Sequence, residues 1–284
     1  MQAQPRGHSN TFAHSTATAP AQQDVKPQTP PAAQRFPRGL LQPEGSYRFG
    51  LDALLLASFA AAALGNRHKA VRSAGAGAGA LLAADLGAGC GVVAAGLTLL
   101  VPAVHCLALE REKALAAAAA HNSLHLGLSA RLQVLDGDLA DPACLQAAGT
   151  GRFDAVLMNP PYRLTGAGRL AASALRQGAL TGDDSTLTHF AQAAHTLLKH
   201  HGSCYAVFAA SGLPRLWAAL DSAGLGLRGL VPVYSSTGQK AKLVLVHAAK
   251  GAQHDLSLNS PLVLYDTAKS TTYSAQAKAF CPWL

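Results

Sequence analysis

The chain has 284 residues, 49% of them hydrophobic and only 13% charged. That is enough for one large domain with a substantial core and too apolar for a disordered or highly solvated chain. Lys and Arg number 23 against 15 Asp and Glu, a formal charge of +8, and the five cysteines form an odd set without metal-ligand spacing behind no signal peptide, which argues for reduced thiols in a cytoplasmic protein and against zinc or a disulfide framework.

Residues 1–36 are rich in Gln, Ala, Thr, Ser and Pro without apolar periodicity and read as a disordered polar tail. A single domain is expected over 37–284. Its first part, 37–72, holds an apolar helix over 52–64. The SAGAGAGA run at 73–80 reads as a flexible linker. The uncharged stretch 86–109 is long enough to cross a bilayer. Its glycines and Pro102, with Asp85 and Glu110 at its ends, make it a strand, turn, helix and strand instead, and no membrane partner is expected.

From 81 to 250 strand-length apolar runs alternate with helical stretches. Strands are predicted over 81–85, 104–109, 132–135, 153–158, 203–209, 225–234 and 242–248. Helices are predicted over 91–100, 112–123, 142–147, 185–199 and 214–223, and 251–284 forms a C-terminal extension. The pattern is α/β: seven strands in a mostly parallel sheet, helices on both faces and one antiparallel edge. Ligands of such sheets bind at the carboxyl ends of the strands.

Charge is uneven. Residues 1–38 carry four basic and one acidic residue, 39–150 seven and eight, and 151–284 twelve and six. Either a polyanionic partner or simple solubility accounts for the excess.

The first core strand runs into Asp85-Leu-Gly87-Ala-Gly89-Cys-Gly91 and then a helix. The glycines permit a tight turn and a ligand close to the main chain. Val92 stands where the dinucleotide pattern needs a glycine. The acidic-x-G-x-G-x-G that remains resembles the cofactor turn of S-adenosylmethionine-dependent methyltransferases. Glu110, ending the second strand, is placed to accept both ribose hydroxyls. Asp138, past the third strand, is placed either to accept from the adenine amino group or to cap the next helix.

The strand 153–158 leads directly into Asn159-Pro160-Pro161-Tyr162. The two prolines stop the sheet and stiffen the backbone. The Asn159 amide oxygen and the Pro160 carbonyl then offer two acceptors to one planar amino group, and Tyr162 offers a face on which a base can stack. An exocyclic amine is a poor nucleophile because its lone pair is delocalised. Accepting both its hydrogens favours the pyramidal geometry that attacks a sulfonium methyl, with neither metal nor strong base.

Together the two motifs resemble the class I methyltransferase fold and its N-P-P-Y amino-methylating group, which implies strand order 3-2-1-4-5-7-6. The stretch Gln42-Pro-Glu-Gly45-Ser-Tyr47-Arg48-Phe49-Gly50-Leu-Asp52-Ala-Leu-Leu-Leu56-Ala-Ser-Phe59 is similar to the N-terminal signature of bacterial tRNA adenine-N6 methyltransferases that modify the adenine beside the anticodon of a valine tRNA. Lys250-Gly251, Pro261-Leu-Val-Leu-Tyr265 and Tyr273-Ser274 resemble the end of that family, so the likeness covers about 38–280. It implies S-adenosylmethionine held by Asp85, Gly87, Gly89, Gly91, Glu110 and Asp138; target-base chemistry at Asn159, Pro160 and Tyr162; tRNA as partner; and no metal. Arg48, Arg163 and Arg169 are the RNA-contact candidates. Residues 47–49 form either a lid over the cofactor or the lead into a helix packed on the sheet, with Asp52 near its positive end. Lys199-His-His-Gly202 departs from the family's Lys-Pro-Gly-Gly turn, and the loop 163–184 matches only loosely. Three other activities use the same motifs or fold: methylation of a glutamine amide in a protein such as a release factor, N-methylation of a ribosomal-RNA guanine or a DNA adenine, and non-catalytic RNA binding.

Overall fold

The structure, a computed structural model, describes residues 31–46, 48–73, 79–161, 184–253 and 255–284. At its centre β1 (Leu81–Leu86) pairs in parallel with β2 (Val104–Glu110) and with β4 (Phe153–Met158); β3 (Leu132–Asp136) lies beyond β2 and β5 (Leu198–Ala209) beyond β4. The antiparallel strand β7 (Leu243–Lys250) separates β5 from β6 (Leu225–Tyr234). Two-residue strands β8 (Ser257–Leu258) and β9 (Leu262–Val263) run parallel to β6. The order is β3-β2-β1-β4-β5-β7-β6-β8, with β9 also on β6. Among the described residues the sheet thus has nine strands instead of seven, and its antiparallel strand is interior because the hairpin from β6 folds back against β5. Two residues are too few to show an alternating pattern, which hides β8 and β9 from sequence.

Every residue of β4 is buried, as a central parallel strand covered on both faces requires. On one face lie α1 (Pro31–Gln34), α2 (Leu51–Ser73), α3 (Val92–Leu100), α4 (Lys113–His125) and the C-terminal residues. On the other lie α5 (Pro142–Ala148), α6 (Asp184–Leu197) and α7 (Leu213–Ser222). Local chemistry sets several boundaries. Asp141 caps α5, accepting the Ala143 N–H at 2.9 Å, and Pro142 takes the first helical position. Ser274 caps α8 (Ala275–Phe280) through the Ala277 N–H at 3.0 Å.

Order begins ahead of Pro37. Residues 31–36, assigned above to the polar tail, include α1 and a buried Phe36 whose ring meets Trp283 edge-on at 4.7 Å. The partner that buries Phe36 is nearly 250 residues away, beyond the reach of local composition. Helix α2 runs to Ser73, past the expected 64 and into the linker; its last two turns are exposed and persist on helix-favouring Arg, Lys and Ala. Strand β5 begins at Leu198, inside the helix expected over 185–199, so His200 and His201 lie in β5; Lys250 Nζ satisfies the carbonyls of His195 and Leu198 at the helix–strand junction, at 2.7 and 3.0 Å.

Candidate functional site

The strand order sets Asp85, Glu110 and Asn159 at one edge of the sheet. Asp85 is the penultimate residue of β1, Glu110 ends β2 and Asn159 follows β4, and β1 lies between the other two strands. Strand spacing puts the ends of β2 and β4 roughly 10 Å apart across it.

The turn after β1 needs its glycines at each of three points. Gly87, Gly89 and Gly91 have φ of +63°, +57° and +82°. A Cβ on Gly87 would stand 2.8 Å from the Phe190 ring, and one on Gly91 would stand 3.1 Å from the Ala119 methyl, while one on Gly89 would enter open space. The open side at Gly89 is the side a ligand can approach. Glu110 holds this turn: one carboxylate oxygen accepts the Gly89 N–H at 2.8 Å and the other the Glu112 N–H at 2.9 Å. Burial pushes the Glu110 carboxyl above its usual range, against the pull of those two amides. A carboxylate has about four lone-pair positions, so capacity remains for hydroxyl donors.

Asp85 lies beneath the turn, buried, and accepts the Ala94 N–H at 3.0 Å. Desolvation raises its pKa to about 7, the amide lowers it, and the charge of Glu110 raises it further. Two acids crowded at one strand edge suit a cationic ligand. This pair, with the open cradle at Gly89, fits the sulfonium and amino-acid end of S-adenosylmethionine.

Asn159 and Pro160 follow the last paired residue of β4, Met158. The Asn159 amide nitrogen donates to Asp52 Oδ2 at 3.1 Å. Its Oδ1 is buried with no hydrogen-bond partner among the described residues. An orphaned buried acceptor costs on the order of 1–3 kcal/mol, a cost that an amino-bearing ligand would remove. Asp52 had been read only as a charge near a helix end. It is 107 positions from Asn159, and the one local signal was an acidic residue opening an apolar helix inside the family-like segment.

The other candidates are placed less centrally. Asp138 accepts the Ala140 N–H at 2.9 Å and stands 4.0 Å from Arg111, a turn-stabilising position. Arg48 is exposed just ahead of α2. Tyr162, Arg163 and Arg169 lie outside the described residues. The C-terminal cations are divided between the two ends of the sheet. Lys199, paired with Asp154 at 3.0 Å, and Lys250 are engaged at the far end. Lys240 and Lys242 are exposed in the β6–β7 loop, at the same edge as Asn159. Among the described residues no group of His, Cys, Asp and Glu could hold a metal, and no helix is long and apolar enough to cross a membrane.

The family model of the methyltransferase small domain matches residues 79–213, the segment from β1 through β5 that carries these strand ends. A predicted O-methyltransferase of Agrobacterium tumefaciens superposes with a TM-score of 0.62 at 22% identity, over 82% of this chain and 96% of that one. The fold is that of the class I methyltransferases. The mitomycin 7-O-methyltransferase aligns with a TM-score of 0.44 at 18% identity, over 70% of this chain and 54% of that one. A candidate RNA methyltransferase of Pyrococcus horikoshii aligns with a TM-score of 0.47 at 19% identity, over 72% and 88%. No curated protein matches the chain at the level of sequence.

Two outcomes follow from the acids. Glu110→Ala strands two amides and removes the carboxylate expected to accept the ribose hydroxyls, so it should both lower the melting temperature and weaken S-adenosylmethionine binding ten- to hundredfold, by about 1.5–3 kcal/mol; calorimetry with and without cofactor reads both effects. Asp85 keeps its proton in the native state up to about pH 7, whereas its unperturbed value is 3.8. The native state therefore binds more protons between those limits, and stability contributed here falls as pH rises through them. Asp85→Asn keeps an acceptor for Ala94 and abolishes the titration. Its melting temperature relative to the parent should rise from pH 5 to pH 8, by an amount corresponding to at most about 3 kcal/mol. A difference independent of pH would refute the raised pKa.

Proposed function

We propose that the protein transfers a methyl group from S-adenosylmethionine to the exocyclic N6 of an adenine in tRNA, and that the adenine is the one beside the anticodon of a valine tRNA. The observation that carries this reading is the buried Oδ1 of Asn159, without a hydrogen-bond partner among the described residues and set beside Pro160 one strand from the glycine turn. The cofactor would be held by the Gly87–Gly91 turn, Asp85 and Glu110, and when bound it supplies an electrophilic methyl group. Asn159 Oδ1 and the Pro160 carbonyl accept the two amino hydrogens and hold the nitrogen lone pair out of conjugation with the ring. These fixed dipoles also oppose the positive charge that develops on that nitrogen. The methylated nitrogen is acidic until it loses its extra proton to water. The class I fold, the family match over 79–213 and the family-like segment 42–59 support the reading.

Incubation with isotopically labelled S-adenosylmethionine and bulk tRNA, followed by nucleoside mass spectrometry, should yield N6-methyladenosine. Asn159→Ala should slow transfer by roughly 10²–10³-fold, because it removes an acceptor that acts at the transition state. It should leave cofactor affinity nearly intact. Label in a protein glutamine in place of RNA would return the glutamine-amide reading. The two exposed lysines of the β6–β7 loop stand at the same end of the sheet as Asn159. Lys240→Ala with Lys242→Ala should reduce the log–log salt dependence of tRNA binding by about two and leave cofactor binding unchanged; a filter-binding titration over a salt series measures it. Salt-independent binding would remove RNA as the partner and leave methyl transfer standing.

A further inference from the structure

We infer that Asp52 is a positioning residue that sets which end of the Asn159 amide faces the amino group being methylated; this rests on the methyl-transfer reading above. The Asn159 amide can rotate about its last side-chain torsion, and its two ends are of nearly equal size. Only one of the two orientations is productive. With the NH2 end facing the site, donors would confront donors and the target amine would be repelled.

Asp52 resolves the choice. Its carboxylate is buried in the first turn of α2, near the positive end of the helix. An ionised carboxylate accepts hydrogen bonds and donates none. At 3.1 Å from Oδ2, Asn159 must present its NH2 end to Asp52. Oδ1 is thereby turned the other way, and that atom is the buried one without a partner among the described residues. The backbone makes room for the arrangement: a Cβ at Gly50 would stand 2.6 Å from Asp52 Oδ1. The carboxylate also polarises the amide, adding negative charge to Oδ1 as positive charge builds on the target nitrogen. Helix α2 thus reaches the chemistry of β4 through one bond.

An aspartate in a first helical turn also stabilises its helix, so the test separates the two roles. Asp52→Asn is compared with the parent, with Asn159→Ala and with the double variant. Measured are methyl transfer to bulk tRNA at saturating cofactor, S-adenosylmethionine affinity, melting temperature, and the side-chain amide resonances of Asn159 in ¹H–¹⁵N NMR, assigned by their loss in Asn159→Ala. Orientation through Asn159 requires transfer to fall by roughly 10- to 100-fold, the range for a group that orients a contacting residue. It also requires the Asn159 resonances to shift, cofactor affinity to hold within about twofold, and no further loss on the Asn159→Ala background. A wild-type rate in Asp52→Asn, or a loss that multiplies with that of Asn159→Ala, would overturn it. Asp52→Ser repeats the cycle if the Asn variant folds poorly. Absence of methyl transfer to RNA by the parent itself would defeat the functional reading. The NMR comparison then decides alone, and unchanged Asn159 resonances in Asp52→Asn would overturn the orientation by Asp52.

Discussion

The carboxylate of Glu110 binds two strand ends into a single site. One of its oxygens holds the turn that follows β1 and the other holds the backbone that follows β2. Three left-handed glycines in five residues would leave that turn many conformations, and the clamp selects one. Burial disfavours the charge that makes the clamp strong, and the two charge-assisted bonds offset this by about 1.5–3 kcal/mol each. Asp85 pays for its position in the opposite way. Its burial, opposed by a single amide and reinforced by the charge of Glu110, keeps it neutral over much of the acidic range. The site thus holds one carboxylate anchored for hydrogen bonding and a second whose charge can be called up by a cation.

The segment ahead of α2 is fastened at both ends to the same edge. Asn122, buried on α4, accepts the Leu41 N–H at 2.7 Å and donates to the carbonyls of Leu41 and Cys90, the latter inside the glycine turn. Eleven residues after Leu41, Asp52 meets Asn159 at the end of β4. A chain pinned to the turn after β1 and again to the end of β4 must run along the carboxyl edge between them. Arg48 lies on that stretch, exposed. The helix packed on the sheet and the segment that leads into it are each fixed by a buried polar side chain.

What was legible in the sequence is what local pattern encodes. Alternation of strand and helix placed β1 to β7 within a few residues, and the glycine turn and Asn159-Pro160-Pro161 stood out because glycine and proline restrict the backbone where they sit. Illegible were the contacts between distant positions. Neither Asp52 with Asn159 nor Asn122 with Leu41 and Cys90 has a periodic signature. Composition assigned residues 31–36 to the polar tail, because the Trp283 ring on which Phe36 packs is far away in sequence. Net charge by segment was equally blind to direction: Lys199 and Lys242 belong to one basic half of the chain yet stand at opposite ends of the sheet.

The acceptor pair at the end of β4 has a chemical consequence of its own. A carbonyl and an amide oxygen cannot remove a proton at neutral pH, so the site suits a nitrogen that becomes acidic by reacting. A conjugated NH2 group meets that condition: it is neutral, it carries two hydrogens in one plane, and its nitrogen becomes strongly acidic once methylated. A lysine ammonium fails at the first step. It would be drawn to acceptors backed by the Asp52 carboxylate, but it has no lone pair with which to attack. A hydroxyl fails at the second, because it has one hydrogen for two acceptors and leaves one of them buried and unpaired. Under the proposed function, conjugated amines would be selected by what they are able to satisfy and then lose, and the selection would turn on the buried Oδ1 of Asn159.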